Sequence, residues 1–136
     1  MPLQRMEHYL VLSDDIEATR SFYCDLLGFE EGFRPSMDFS GYWLYLDETP
    51  CIHIADWTSY ESYARRAAMS VSQRAVGTGP VDHIAFSGTD YEEMTTRLKA
   101  HCVDYQTNHV AGIGLRQVFL HDPSGLKIEL NFMPEG

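Results

Sequence analysis

His8, His53, His83 and Glu129 each interrupt a run of apolar residues, in Glu-His-Tyr-Leu, Ile-His-Ile, Asp-His-Ile-Ala and Ile-Glu-Leu respectively. His83 follows His8 by 75 positions and Glu129 follows His53 by 76. Successive side chains of a strand point to opposite faces, so Ile52 and Ile54 lie opposite His53, and Ile128 and Leu130 lie opposite Glu129. Each strand thus sends its aliphatic residues into a packed layer and its polar residue to the other side. A solitary strand histidine is ordinarily a surface residue or a hydrogen-bonded core residue. That reading leaves the recurrence in register unexplained. Three imidazoles and a carboxylate suit a borderline divalent ion: Zn²⁺, Ni²⁺, Fe²⁺, Co²⁺ or Mn²⁺.

The elements that must carry these residues are written twice. Residues 5–12 read as a strand, and Ile16 to Leu27 as a helix with Ile16, Tyr23, Leu26 and Leu27 on one face. Asp14 and Glu17 have the spacing of an acidic capping box, and Gly28 stands where a left-handed C-terminal cap needs it. Three short strands follow, over Phe29–Phe33, Gly41–Leu46 and Cys51–Ile54. The order restarts at Val81–Phe86, with Thr89 and Glu92 at capping-box spacing and Tyr91, Met94 and Leu98 as the helical stripe, ending near Ala100. Gln117–Leu120, the turn Asp122-Pro123-Ser124-Gly125 and Leu126–Leu130 close it. The chain therefore reads as α+β, one domain over 1–136 made of two βαβββ modules at about 4–56 and 80–133. The linker at about 57–79, in which Thr58 and Glu61 open a short helical segment, is placed to cover a pocket.

Composition narrows the partners. With 44% hydrophobic and 22% charged residues in 136, the chain buries roughly 65–70% of its unfolded surface and needs neither disulfide nor structural metal to fold. Ten Lys+Arg against twenty Asp+Glu leave a net charge of −10, which repels phosphate backbones and anionic headgroups. Neither nucleic acid nor a membrane surface is an expected partner. No apolar run approaches a spanning helix, and Met1-Pro2-Leu3-Gln4-Arg5 lacks a signal-peptide core, so the expected compartment is the cytoplasm. Cys24, Cys51 and Cys102 are an odd number without C-x-x-C spacing and read as buried free thiols.

Nearly the whole chain resembles the vicinal oxygen chelate superfamily, which includes glyoxalase I, methylmalonyl-CoA epimerase, fosfomycin-resistance proteins and extradiol ring-cleaving dioxygenases. The likeness is carried by the His8 strand, Ser21-Phe22-Tyr23-x-x-Leu26-Leu27-Gly28-Phe29, Asp82-His83-Ile84-Ala85 and Asp122-Pro123-Ser124-Gly125-x-x-Ile128-Glu129-Leu130. It implies a cupped, barrel-like mixed sheet around a metal, with His8, His53, His83 and Glu129 at the family's four ligand positions. It also implies a substrate bound through two neighbouring oxygens.

Three chemistries are compatible with the resemblance. Glyoxalase-like lyases or isomerases use four protein ligands, and Glu129 would then be both ligand and base. Extradiol Fe(II) dioxygenases use two histidines and a carboxylate, here His8, His83 and Glu129 with His53 standing back. Against ring cleavage, Phe119 occupies the position of that family's tyrosine, and no histidine precedes it at the right distance, His109 being too early. Bleomycin-resistance-type proteins bind drugs without a metal and lack the ligand set. Trp43, Tyr45 and Phe119 are candidates for lining a substrate pocket, and Arg20, Arg34 and Arg116 for meeting an anionic substrate group. His101 and His109 read as exposed, and His121 as undecided. Short two-module relatives commonly pair modules across a homodimer, which would set His8 and His53 of one chain opposite His83 and Glu129 of the other.

Overall fold

The computed structural model describes residues 2–74 and 77–134; positions 75 and 76 of the expected linker lie outside them. The chain divides into two compact units, residues 1–73 and 74–136. In the first, the order is β1 (Tyr9–Ser13), α1 (Ile16–Ser21), a π-helical turn (Phe22–Leu26), β2 (Glu30–Gly32), β3 (Gly41–Leu46), β4 (Thr49–Asp56) and α2 (Trp57–Arg66). The second runs β5 (His83–Gly88), α3 (Tyr91–Ala100), β6 (Gln106–Val110), β7 (Leu115–His121) and β8 (Lys127–Phe132). The fold class is α+β with two βαβββ modules, as the sequence predicts. Each module has its own four-stranded mixed sheet, ordered β1-β4-β3-β2 and β5-β8-β7-β6, with the first pair parallel and the others antiparallel.

Each unit has its own apolar core on the face that the aliphatic alternation predicts. Leu44, Ile52 and Ile54 are buried in the first with Tyr23 and Leu26 from the helical segment, and Val118, Leu120, Ile128 and Leu130 in the second with Leu98 from α3. His53 and Glu129, pointing the other way, are only half-buried.

The helix starts differ from the expected ones in a consistent way. Asp15, not Asp14, caps α1 by accepting from the Ala18 amide; Asp56, not Thr58, caps α2 through the Ser59 amide; Asp90, not Thr89, caps α3 through the Glu93 amide. In all three the aspartate immediately before the first helical residue wins, because its carboxylate reaches an otherwise unpaired amide and suits the positive end of the helix dipole. The first helix also does not run regularly to Leu27. After Ser21 it widens into the π turn, closed by the Leu27 amide on the Phe22 carbonyl, and Gly28 at φ 87° then takes the left-handed cap.

Two further differences bear on the site. His8 lies one residue before β1 rather than inside a strand, and His83 opens β5. All three cysteines are free, but Cys102 is exposed in the turn that ends α3, while Cys24 and Cys51 are half-buried, with burial raising both thiol pKa values.

Candidate metal-binding half-sites and an aromatic cavity

Strand register places the four residues identically in the two units. Leu10 pairs with His53, and Ala85 pairs with Glu129. His8 precedes Leu10 by two residues, and His83 precedes Ala85 by two, so each polar pair occupies the same ladder positions. The neighbour from the third strand is repeated as well: Trp43 pairs with His53, and Phe119 with Glu129.

In the first unit the His8 and His53 rings stack with centroids 3.7 Å apart, and Trp43 stacks on His53 at 4.1 Å and 8°. Burial, reinforced by His8, pushes the His53 pKa down to about 4, so its imidazole is neutral at pH 7 with a lone pair to offer. In the second unit His83 Nε2 and Glu129 Oε1 stand 3.3 Å apart, with the Phe119 ring edge-on to His83. Two donors on one ion at ~2.0–2.1 Å are separated by about 3.0 Å at a right angle and about 3.4 Å at the tetrahedral angle. The His83–Glu129 separation falls between those limits.

The residue before each histidine completes the arrangement. His8 Nδ1 donates to Glu7 Oε1 at 2.9 Å, and His83 Nδ1 donates to Asp82 Oδ2 at 2.8 Å. A carboxylate only accepts, so the proton of a neutral imidazole goes to Nδ1 and leaves the lone pair on Nε2; metal-binding histidines are usually oriented in this way. Hydrogen bonds from Lys127 and then His83 hold the Asp82 carboxyl below its ordinary range. Glu7 and Asp82 were not among the residues singled out from sequence, although the acid–histidine dipeptide recurs at the same spacing of 75.

Glu129 is held by a row of amides across its sheet. Asn108 donates to Gln117 Oε1 (2.8 Å), Gln117 to Asn131 Oδ1 (3.1 Å), and Asn131 to Glu129 Oε2 (2.7 Å). Oε1 is therefore the oxygen left to bind an ion or take a proton. The β7–β8 turn sets the ladder that carries Glu129. Buried Asp122 accepts from the Ser124 and Leu126 amides, and Gly125 adopts φ 90°. The structure thus brings the four predicted ligands together as two pairs. Among the described residues no three His, Cys, Asp or Glu side chains gather closely enough to hold an ion.

Beside His8 and His53, within the first unit, lies a cavity of about 220 Å³ walled by Phe39, Trp43, Tyr60 and Tyr63 with Met37 and Met69. Tyr60, Tyr63 and Met69 come from α2 and the residues after it, the segment expected to cover a pocket. Of the three candidate arginines only Arg34 lines this cavity. Arg20 is spent on Glu17 and Glu31, and Arg116 lies over the Tyr91 ring near Glu92. Of the candidate pocket aromatics, Trp43 lines the cavity; Tyr45 does not, its hydroxyl donating to the Phe33 carbonyl, and Phe119 stands beside the second pair. His101, His109 and His121 are exposed.

Comparison with known proteins agrees with this reading of the fold. The chain is 28% identical over 131 residues to "Glyoxylase I 4" of Arabidopsis thaliana, covering 94% of this chain and 70% of the relative. Among solved structures, lactoylglutathione lyase from Agrobacterium tumefaciens superposes with a TM-score of 0.71 at 18% identity, over 96% of this chain and 95% of the other. TnmS3, an antibiotic binding protein from Streptomyces sp. CB03234, does so at 0.69 and 19%, over 98% and 99%. At such identities the superpositions establish the fold. The family model of the Glyoxalase/Bleomycin resistance protein/Dioxygenase superfamily matches residues 5–130, and the chain belongs to that superfamily.

Proposed function

We propose that the protein is a divalent-metal-dependent enzyme with glyoxalase-like lyase or isomerase chemistry, its ion held by His8, His53, His83 and Glu129. The observation that carries this reading is the duplicated donor geometry. His8, just before β1, and His83, at the start of β5, both have Nδ1 engaged by the preceding carboxylate, and in each unit the second donor sits at the same ladder position. Catalytic ions of this kind take three or four protein donors, so neither pair suffices alone. The donor set of three nitrogens and one carboxylate oxygen fits Zn²⁺, Ni²⁺, Co²⁺, Fe²⁺ or Mn²⁺. When bound, such an ion supplies Lewis-acid stabilisation of negative charge on two neighbouring substrate oxygens.

The chain's own residues handle the proton. The Glu129 carboxylate, oriented by the Asn131 hydrogen bond to Oε2, accepts a proton from the substrate carbon and returns it to a neighbouring atom. His53, neutral at pH 7 and faced by Trp43, is available as the fourth ligand of the glyoxalase-like set. Phe119, at the position of the dioxygenase tyrosine, has no proton to give.

A second reading is favoured by the aromatic cavity: sequestration of a small molecule without chemistry, on a fold that an antibiotic binding protein shares. Equilibrium dialysis against Zn²⁺, Ni²⁺, Mn²⁺ and Fe²⁺ separates the two. Stoichiometric uptake, weakened at least tenfold by His83→Ala, is expected of the enzyme, since losing a direct ligand exceeds the ~10–100-fold cost of losing an outer partner. No uptake by the wild-type chain would leave sequestration as the function.

A further inference from the structure

The cavity beside His8 and His53 has walls of one kind and a single cation. Phe39 is its hub, with the Tyr60 ring edge-on at 5.0 Å and the Tyr63 ring tilted at 5.0 Å, while Trp43 forms the wall continuous with His53. No Asp or Glu is among the described residues that line it, although acids outnumber bases two to one in the chain.

Arg34 is the exception in this apolar setting. Its guanidinium lies 5.2 Å from the Phe39 ring centroid, one terminal nitrogen donates to the Phe39 carbonyl at 2.6 Å, and Nε is buried without a hydrogen-bond partner among the described residues. Burial lowers the Arg34 pKa, yet a guanidinium remains protonated at pH 7. The residue as a whole is half-buried and lines the cavity, so its guanidinium is open to a ligand there, and a donor left buried and unpaired is uncommon in native proteins.

We propose that this cavity binds a planar aromatic monocarboxylate, with the carboxylate on Arg34 and the ring system between Trp43 and the Phe39, Tyr60 and Tyr63 cluster. A guanidinium edge presents two parallel N–H groups to a carboxylate, which makes the acid a better fit than a neutral carbonyl. In the metal-free chain one cation in largely apolar walls suits one negative charge; a dianionic phosphate, or a ligand with carboxylates at both ends, leaves charge unpaired. Size sets the other limit. An apolar cavity of ~150 Å³ holds benzene, so about 220 Å³ has room for one further fused ring. Identifying the bound acid as the substrate rests on the metal-enzyme reading above; its binding does not.

The test is calorimetric titration with naphthoate and with naphthalenemethanol, the same ring system without the charge, on chelator-treated protein and again after Zn²⁺ is restored. The acid is expected to bind about 10–100-fold more tightly than the alcohol, the range of a charge-assisted hydrogen bond. Arg34→Gln should remove the preference while leaving alcohol binding, Arg34→Lys should keep part of it, and Trp43→Leu should weaken both ligands. Retained alcohol binding certifies that the Arg34→Gln cavity is folded. Equal affinities for acid and alcohol, binding of neither, or a preference that survives Arg34→Gln would overturn the proposal. An Arg34-dependent preference in a chain that takes up no metal would sink the enzyme reading and leave this one standing. Metal uptake without acid preference would do the reverse.

Discussion

At the scale of single residues, the two acid–histidine dipeptides make the site's chemistry testable apart from any substrate. The Glu7 carboxylate hydrogen-bonds His8, whereas the Asp82 carboxylate meets both His83 and Lys127. Glu7→Gln keeps the size but gives up the charged acceptor that fixes His8 Nδ1–H. Divalent-ion affinity in equilibrium dialysis should fall about 10–100-fold, the cost typical of an outer hydrogen-bond partner. An unchanged affinity would mean that Glu7 merely decorates an exposed histidine. Asp82→Asn should weaken affinity within the same range, and its effect should grow in Lys127→Met, where the remaining restraint on residue 82 is gone. The ligand candidates themselves were readable from sequence because alternation and spacing are properties of the chain alone. Arg34 was not separable from Arg20 and Arg116. What distinguishes it is burial against Phe39, which only tertiary packing supplies.

At the scale of elements, the turn before β8 does the positioning. Asp122→Ala strips acceptors from two amides, one of them the buried Leu126 N–H. The expected loss is about 2 kcal/mol, which for a chain of this size lowers Tm by about 8 °C. Asp122→Asn retains a side-chain oxygen and should lose less; equal melting of Asp122→Ala and wild type would show that water replaces the carboxylate. The sequential order of strands and helices was legible because the aliphatic period changes from two to three or four at each boundary. Helix starts were not. Serine, threonine and aspartate crowd each boundary, and which oxygen reaches an amide depends on the backbone angles of its own residue. Asp90 caps α3 from a left-handed conformation, φ 63°, which spacing rules for a capping box do not anticipate. The π turn at Phe22–Leu26 was equally invisible, since its apolar stripe fits a regular helix almost as well. β6 escaped notice because Gln106–Val110 is exposed throughout and so has no buried face to impose alternation.

At the scale of the whole molecule, the two donor pairs pose the question of which chains share a site. The outermost strands are β1 and β2 in the first sheet and β5 and β6 in the second, and pairing between chains is one way to cover the edges of sheets. Sedimentation at micromolar concentration should show a dimer of the 15.5 kDa chain; a single species at the monomer mass would reject it. Mixed His8→Ala and His83→Ala chains should regain metal binding if each site draws its pairs from two chains, because one intact set then forms per hybrid. If subunits exchange and no binding returns, both pairs come from one chain. No helix among the described residues is long and apolar enough to cross a membrane.

The equal registers of the two sheets also bear on chain connectivity. Each unit has its own core, its own strand order and its own pair of donors, and the division falls between Gln73 and Arg74. Neither ladder contains a strand from the other half of the sequence, so the direction in which the halves are joined enters into neither. A circular permutant reading 74–136, a long flexible glycine–serine linker and then 1–73 should therefore fold with the native circular dichroism spectrum and bind metal at the native stoichiometry. A permutant that melts non-cooperatively would show that the covalent order of the halves, and not only their separate ladders, is part of what this sequence encodes.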